Sequence, residues 1–222
     1  MSSFRPTTLA ALLVTGLAVS PAAANPIAVT FGDTVNMRYM GVTPGHGGDG
    51  LYNWSTGHTT YSGLVYSDPD NNTLGTFCIE RSQDLASGMR PYQLVTLEQA
   101  PTNHHMSPAS ANALRMMWAE YFDDVNTNDE AAAFQNAVWH LVDGSYNSPY
   151  ASGSHVDNLY DLYLNASTWN SGYASLGVLS HANLQDQLVP LRPAADTPEP
   201  GMLALGLLVL PAVYLRRKLA KA

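Results

Sequence analysis

The hydrophobic period of this chain changes once, near residue 105, and that change sets its fold class. Before it the pattern is that of strands. In "TVNMRYMGV", Val35, Met37 and Tyr39 alternate with more polar neighbours, which gives an extended segment one apolar face. "TPGHGGDG" reads as a glycine-rich loop. "YSGLVYS" and "TLGTFCIE" flank the turn-rich "DPDNN" and are expected to form a hairpin, and "PYQLVTLEQA" is a further strand. Cys78 falls within the second of these, on the face opposite Phe77 and Ile79.

After residue 105 the period is helical. In "SPASANALRMMWAEYF", Ser107 is the N-cap and Pro108 the first helical residue, with Leu114, Met117, Trp118 and Tyr121 along one face. A second helix follows "DDVNTNDE", where Thr127 and Glu130 have the spacing of a capping box. Along it Gln135, Val138, Trp139 and Val142 fall on one stripe. A third helix is expected from Ser154, with Val156, Leu159, Tyr160 and Tyr163 inward, and from His181 a last short helix or strand. The class is α+β: N-terminal antiparallel, barrel-like strands with a helical subdomain.

The two ends carry sorting information. Arg5, an apolar stretch from Leu9 to Val19 and the Ala22-Ala23-Ala24 triplet make a secretory signal peptide over residues 1–24, leaving Asn25 as the mature N-terminus. At the other end, 191–197 is a linker. Pro198, Glu199 and Pro200 then precede an apolar run from Gly201 to Leu215, followed by Arg216, Arg217, Lys218 and Lys221. At ~1.5 Å per helical residue the run covers roughly 22 Å, short of a ~30 Å hydrocarbon core. The basic cluster should stay cytoplasmic and hold the upstream chain outside. This order over residues 198–222 resembles the PEP-CTERM sorting signal of Gram-negative bacteria. The resemblance implies a transient anchor in the inner membrane, removal of the tail by an exosortase, and delivery to the cell surface or matrix. An ordinary C-terminal anchor predicts the same topology with permanent attachment.

Residues 25–190 remain as one extracellular domain, enough for a sizeable core. Between residues 25 and 197 stand five arginines, no lysine and seventeen carboxylates, a balance of −12 before histidine. That balance argues against nucleic acid and anionic lipid surfaces as partners.

One cysteine, Cys78, cannot form an internal disulfide. Gln135 is also unusual, an amide on the stripe meant for the core, where it must be hydrogen-bonded or cost a few kcal/mol. A satisfied core glutamine is the bland reading. The pairing of the two says more. "FCIE" on a strand (Phe77, Cys78, Ile79, Glu80) and "FQNAVW" on a helix (Phe134, Gln135, Ala137, Val138, Trp139) resemble the thioester domains of bacterial surface adhesins. The resemblance covers roughly residues 74–145 and implies that Cys78 and Gln135 condense into an internal thioester with loss of ammonia. That family often carries Thr before the glutamine; here the position is Phe134, so the resemblance does not supply the polar support of the Gln135 carbonyl.

The chemistry suits the residue types. A thiolate is a good nucleophile, and proximity lowers the barrier to attack on an otherwise inert amide. Apolar neighbours (Phe77, Phe134, Val138 and Trp139) would keep water from hydrolysing the product. An incoming amine attacks the Gln135 carbonyl, Cys78 leaves, and an amide crosslink remains. The expected partners are amine-bearing surface or matrix molecules, and the event is a single turnover, not enzymatic catalysis with release. The missing lysines fit a domain that must not acylate itself, as does a simple compositional bias.

Other readings stay open. A non-covalent matrix or biofilm protein would keep Cys78 as a buried thiol. A Cys–His hydrolase would pair Cys78 with His104 or His140, although such cysteines are usually activated at helix N-termini. His140 is expected to be an exposed helical histidine. Asp124, Asn126 and Asn128 begin like a calcium loop, but Asp129 stands where the glycine belongs, and capping explains them more simply. No cofactor or metal is expected.

Overall fold

Strands from both ends of the domain close on one another around a shared apolar interior. The structure is a computed structural model and describes residues 26–85, 87–101 and 105–192. In chain order the elements are β1 (Ile27–Ala28), β2 (Thr34–His46), β3 (Asp49–Ser55), β4 (Tyr61–Ser62), β5 (Thr73–Cys78), β6 (Arg90–Val95), α1 (Pro108–Tyr121), α2 (Asn128–Asp143), α3 (His155–Leu164), β7 (Leu176–His181) and β8 (Leu184–Pro190). Six of the strands form a closed antiparallel barrel in the order β2-β3-β5-β8-β7-β6. Closure leaves no long unpaired edge. The fold is mixed α+β, with the three α-helices packed outside the barrel.

Alternation along the strands separates two cores. Val35, Met37, Trp54, Leu74, Tyr92, Leu179 and Val189 fill the barrel. Phe77, Ile79, Leu114, Trp118, Phe134 and Val138 lie between the barrel wall and the helices. Cys78 belongs to the first core and its neighbours Phe77 and Ile79 to the second, as the period-two reading of the strand requires.

The helix starts are those expected. Ser107 Oγ accepts from Ser110 N, and Ser154 Oγ from Asp157 N. In the capping box, Thr127 Oγ1 accepts from Glu130 N while Glu130 Oε2 accepts from Thr127 N. The expected stripe on α2 is buried, but so is every residue from Ala131 to Trp139. The reason is position: α2 lies between the barrel and the other two helices, so it has almost no solvent face over these turns.

Two expectations change, and one left open is decided. "YSGLVYS" and "TLGTFCIE" do not form a hairpin: β4 pairs in parallel with β1, Leu64 bridges Leu191, and β5 runs between β3 and β8. The "DPDNN" turn is present, closed by Asp68 and Thr73 exchanging backbone hydrogen bonds. It ends in a single bridge because barrel closure uses both edges of β5. The segment "TPGHGGDG" is mostly strand, not loop, with β2 and β3 turning at Gly47 and Gly48. Gly45 and Gly50 face each other so closely that a Cβ on Gly50 would stand 2.6 Å from the Gly45 Cα, a contact only glycine tolerates. The end of the domain, left open between helix and strand, is the β7–β8 hairpin.

The signal peptide, the linker and the sorting signal, including Pro198, Glu199, Pro200, Arg216 and Arg217, lie outside the described residues, as does His104. Among the described residues no helix is long and apolar enough to cross a membrane.

Candidate functional site

Cys78 is the last residue of β5, where β3 has already left it. The β3–β5 pairing ends at Tyr52 opposite Thr76. On its other side β5 stays tied to β8, through Phe77 opposite Leu188 and Ile79 N donating to Asp186 O. Alternation therefore turns the Cys78 N–H and C=O toward the space beyond β3. Gln135 of α2 fills that space. Cys78 N donates to Gln135 Oε1 at 2.9 Å, and Gln135 Nε2 donates to Cys78 O at 2.7 Å. The amide acts as one more unit of sheet, held edge-on to the strand.

Both residues are fully buried. The satisfied-glutamine reading and the reactive reading start from the same contact, since pairing both amide ends also brings the carbonyl carbon beside Cys78. The carbonyl receives its polar support from the Cys78 N–H. The Thr that the adhesin domains often carry before the glutamine is not needed for it.

The thiol is held in its protonated form. Burial, first of all, pushes the Cys78 pKa up to about 12; the charges of Glu80 and Asp186 add to this, while the Glu80 backbone N–H and the Trp139 indole N–H act against it. Cys78 Sγ donates to Glu80 O at 2.6 Å. The Trp139 N–H lies near enough to favour a thiolate, yet it makes no full hydrogen bond to any group and is buried. It is a donor held in reserve for negative charge on the sulfur.

Apolar groups wall the site on the helix side. The rings of Phe77 and Phe134 stand 4.8 Å apart, and Trp118 and Tyr163 each lie 5.6 Å from Phe134. Val138 is buried in the same cluster. Trp139 packs instead in the cluster that holds Cys78, where it meets Tyr146 edge-on. The guanidinium of Arg81 covers both rings, 5.2 Å from Trp139 and 4.5 Å from Tyr146.

Three residues gain weight from the tertiary structure. Glu80, named above only as part of a motif, is 3% exposed. Its Oε2 accepts from Asp186 N, and its Oε1 from Gln83 Nε2. Burial and then the Asp186 charge push its pKa up to about 7. Arg81 was not singled out by the sequence reading at all. Nor was Gln187, which stands directly opposite Cys78 across the β5–β8 ladder and shares its face. Gln187 Oε1 is already occupied, accepting from Trp54 Nε1 at 3.2 Å and Thr76 Oγ1 at 2.8 Å. Only strand register identifies it, and no local pattern carries that register.

His140 is half-buried, not the exposed helical histidine expected. Its Nδ1 lies 2.6 Å from Tyr146 O and 2.8 Å from Tyr160 Oη, because α3 and the segment after α2 close over it. A hydrolase needs a poised thiolate, and the Cys78 environment works in the opposite direction. In the calcium-like segment Asn128 Oδ1 accepts from Gly45 N, and the Asn126 side chain donates to Asp123 O. Among the described residues no group of three His, Cys, Asp or Glu is placed to hold a metal.

Comparison with protein-family models, with curated proteins and with solved structures gives no match.

Proposed function

We propose that this is an exported domain that attaches covalently to amine-bearing molecules through a Cys78–Gln135 thioester, as an adhesin or a matrix crosslinker. One observation carries the reading: the Gln135 amide is paired at both ends with the Cys78 backbone, which fixes an electrophile beside the residue that carries the chain's one thiol. In the first step the thiol sulfur bonds to the Gln135 carbonyl carbon, the C–N bond breaks, and the nitrogen leaves as ammonia with the thiol proton. In the second, a primary amine displaces the sulfur, leaving an amide on Gln135 and a thiol on Cys78. Each chain reacts once. The signal peptide and PEP-CTERM-like tail support export across the inner membrane of a Gram-negative bacterium. They also support an exosortase-type enzyme as a processing partner and a surface or matrix destination.

A second reading is favoured by the protonated, hydrogen-bonded thiol: a non-covalent matrix or biofilm protein in which Gln135 simply completes the sheet. Intact mass of the mature domain separates the two. A mass one ammonia below that of the sequence supports the thioester, and full sequence mass supports the non-covalent protein.

A further inference from the structure

We propose that the cleft between the segment after β5 and the last turn of α2 is the docking site for the attacking amine, and that Glu80 carries its proton; this rests on the thioester reading above. The cleft has a volume of about 180 Å³ and is lined by residues 79–82 after β5 and by Trp139, Val142 and Asp143 of α2. Its carboxylates and apolar wall suit a primary alkyl ammonium, such as a lysine side chain or a diamine, better than an anion or a sugar hydroxyl.

Trp139 connects the cleft to the sulfur. It lines the cleft, and its buried, unpartnered N–H favours a thiolate on Cys78. A leaving thiolate therefore meets a donor that the resting thiol does not use. Glu80 lines the same cleft, and its own carbonyl already accepts from Cys78 Sγ. The charged groups around it are Asp186 from β8, Asp143 from α2 and Arg81 beside it in the chain. Its raised pKa leaves it part ionised near neutrality, the range in which a carboxylate exchanges protons efficiently.

The docked ammonium first loses one proton to water. The neutral nitrogen then bonds to the Gln135 carbonyl carbon, the C–S bond breaks, and its electron pair leaves on Cys78. Glu80 takes the proton shed by the nitrogen and returns it to the sulfur. The products are an amide and a thiol, and Glu80 ends as it began.

The test compares wild type with Glu80→Gln, both checked by intact mass for the missing ammonia. Each is reacted with methylamine and with methoxyamine, which is neutral at pH 7 and sheds its proton easily once it has attacked. The expected result is an intact thioester in both proteins and about a hundredfold slower methylamine uptake in the variant, with methoxyamine nearly unchanged. Wild-type methylamine rates in the variant, or equal losses for both amines, overturn the role of Glu80 while leaving the thioester standing. Full sequence mass in the wild type overturns the thioester and this proposal together. If the variant does not fold or form the bond, the wild-type profile decides. Methylamine uptake per free amine should rise through about pH 7, and a flat profile overturns the proposal.

Discussion

The side-chain amide of Gln135 is hydrogen-bonded to both backbone groups of Cys78, a residue 57 positions earlier in the chain. Both contacts go to backbone, so the pairing does not depend on which side chain residue 78 carries. Cys78→Ala should keep it and lose only a small buried group, at about 1–2 kcal/mol. Gln135→Ala leaves a buried N–H and C=O without partners and should cost about 2–5 kcal/mol. Both variants should be unable to take up amine. Denaturation midpoints read the difference in stability, and an equal or reversed order would contradict the sheet-completing role of Gln135.

Alkylation of the native protein will not show whether a thioester is present, because a fully buried Cys78 with its thiol pKa pushed up to about 12 resists labelling in either state. Labelling after rapid denaturation at neutral pH should distinguish them. A free thiol takes up iodoacetamide at once, whereas an acylated one stays unlabelled until methylamine is added.

Two amides flank Cys78, and peptide mapping of the methylamine adduct identifies which one reacts. The adduct is expected on Gln135, which is paired edge-on to Cys78 and next to the cleft-lining Trp139. Gln187 is tethered inside the barrel by Trp54 and Thr76 and is expected to stay unmodified. An adduct on Gln187 would move the site from the helix to the ladder.

Phe134 is fully buried and stands within ring-contact distance of Phe77, Trp118, Phe122 and Tyr163. Phe134→Ala should destabilise the domain by about 3–5 kcal/mol through the cavity it opens. The same change should speed hydrolysis of any thioester in the folded fraction, measured as recovery of full mass with time.

Stability should also fall between pH 5 and pH 8. Glu80 has its pKa raised from 4.5 to about 7 by burial and then by Asp186. The fold therefore favours the protonated carboxyl. Its contribution is complete below the unfolded pKa and is lost as pH rises through about 7. The loss should be about 1–2 kcal/mol after solvent screening. The carboxylates whose pKa is lowered (Asp33, Asp68, Glu98, Glu120 and Glu130) act below this window and in the opposite sense. Thermal unfolding across the range checks it: Glu80→Gln should flatten the slope.

Much of the helical half was legible because its signals are short-range. Ser107, Thr127 and Ser154 each cap a helix through a backbone N–H three residues ahead, so the information lies within one turn. The alternation that puts Phe77 and Cys78 into different cores is equally local. Pairing of strands is not. The expected hairpin failed because period two says which face a residue takes and nothing about which neighbour it meets.

The sequence by itself determined the α+β class and the helix starts, and it singled out Cys78 and Gln135, the two residues proposed to form a thioester. Only the tertiary structure decided that they meet. Barrel closure ends β3 short of Cys78, and α2 lies where Gln135 can fill the gap. The same closure buries Glu80, sets Gln187 opposite the thiol and folds Arg81 over Trp139. These contacts join residues far apart in the chain, and burial in a shared core, which no local pattern encodes, is what brings them together.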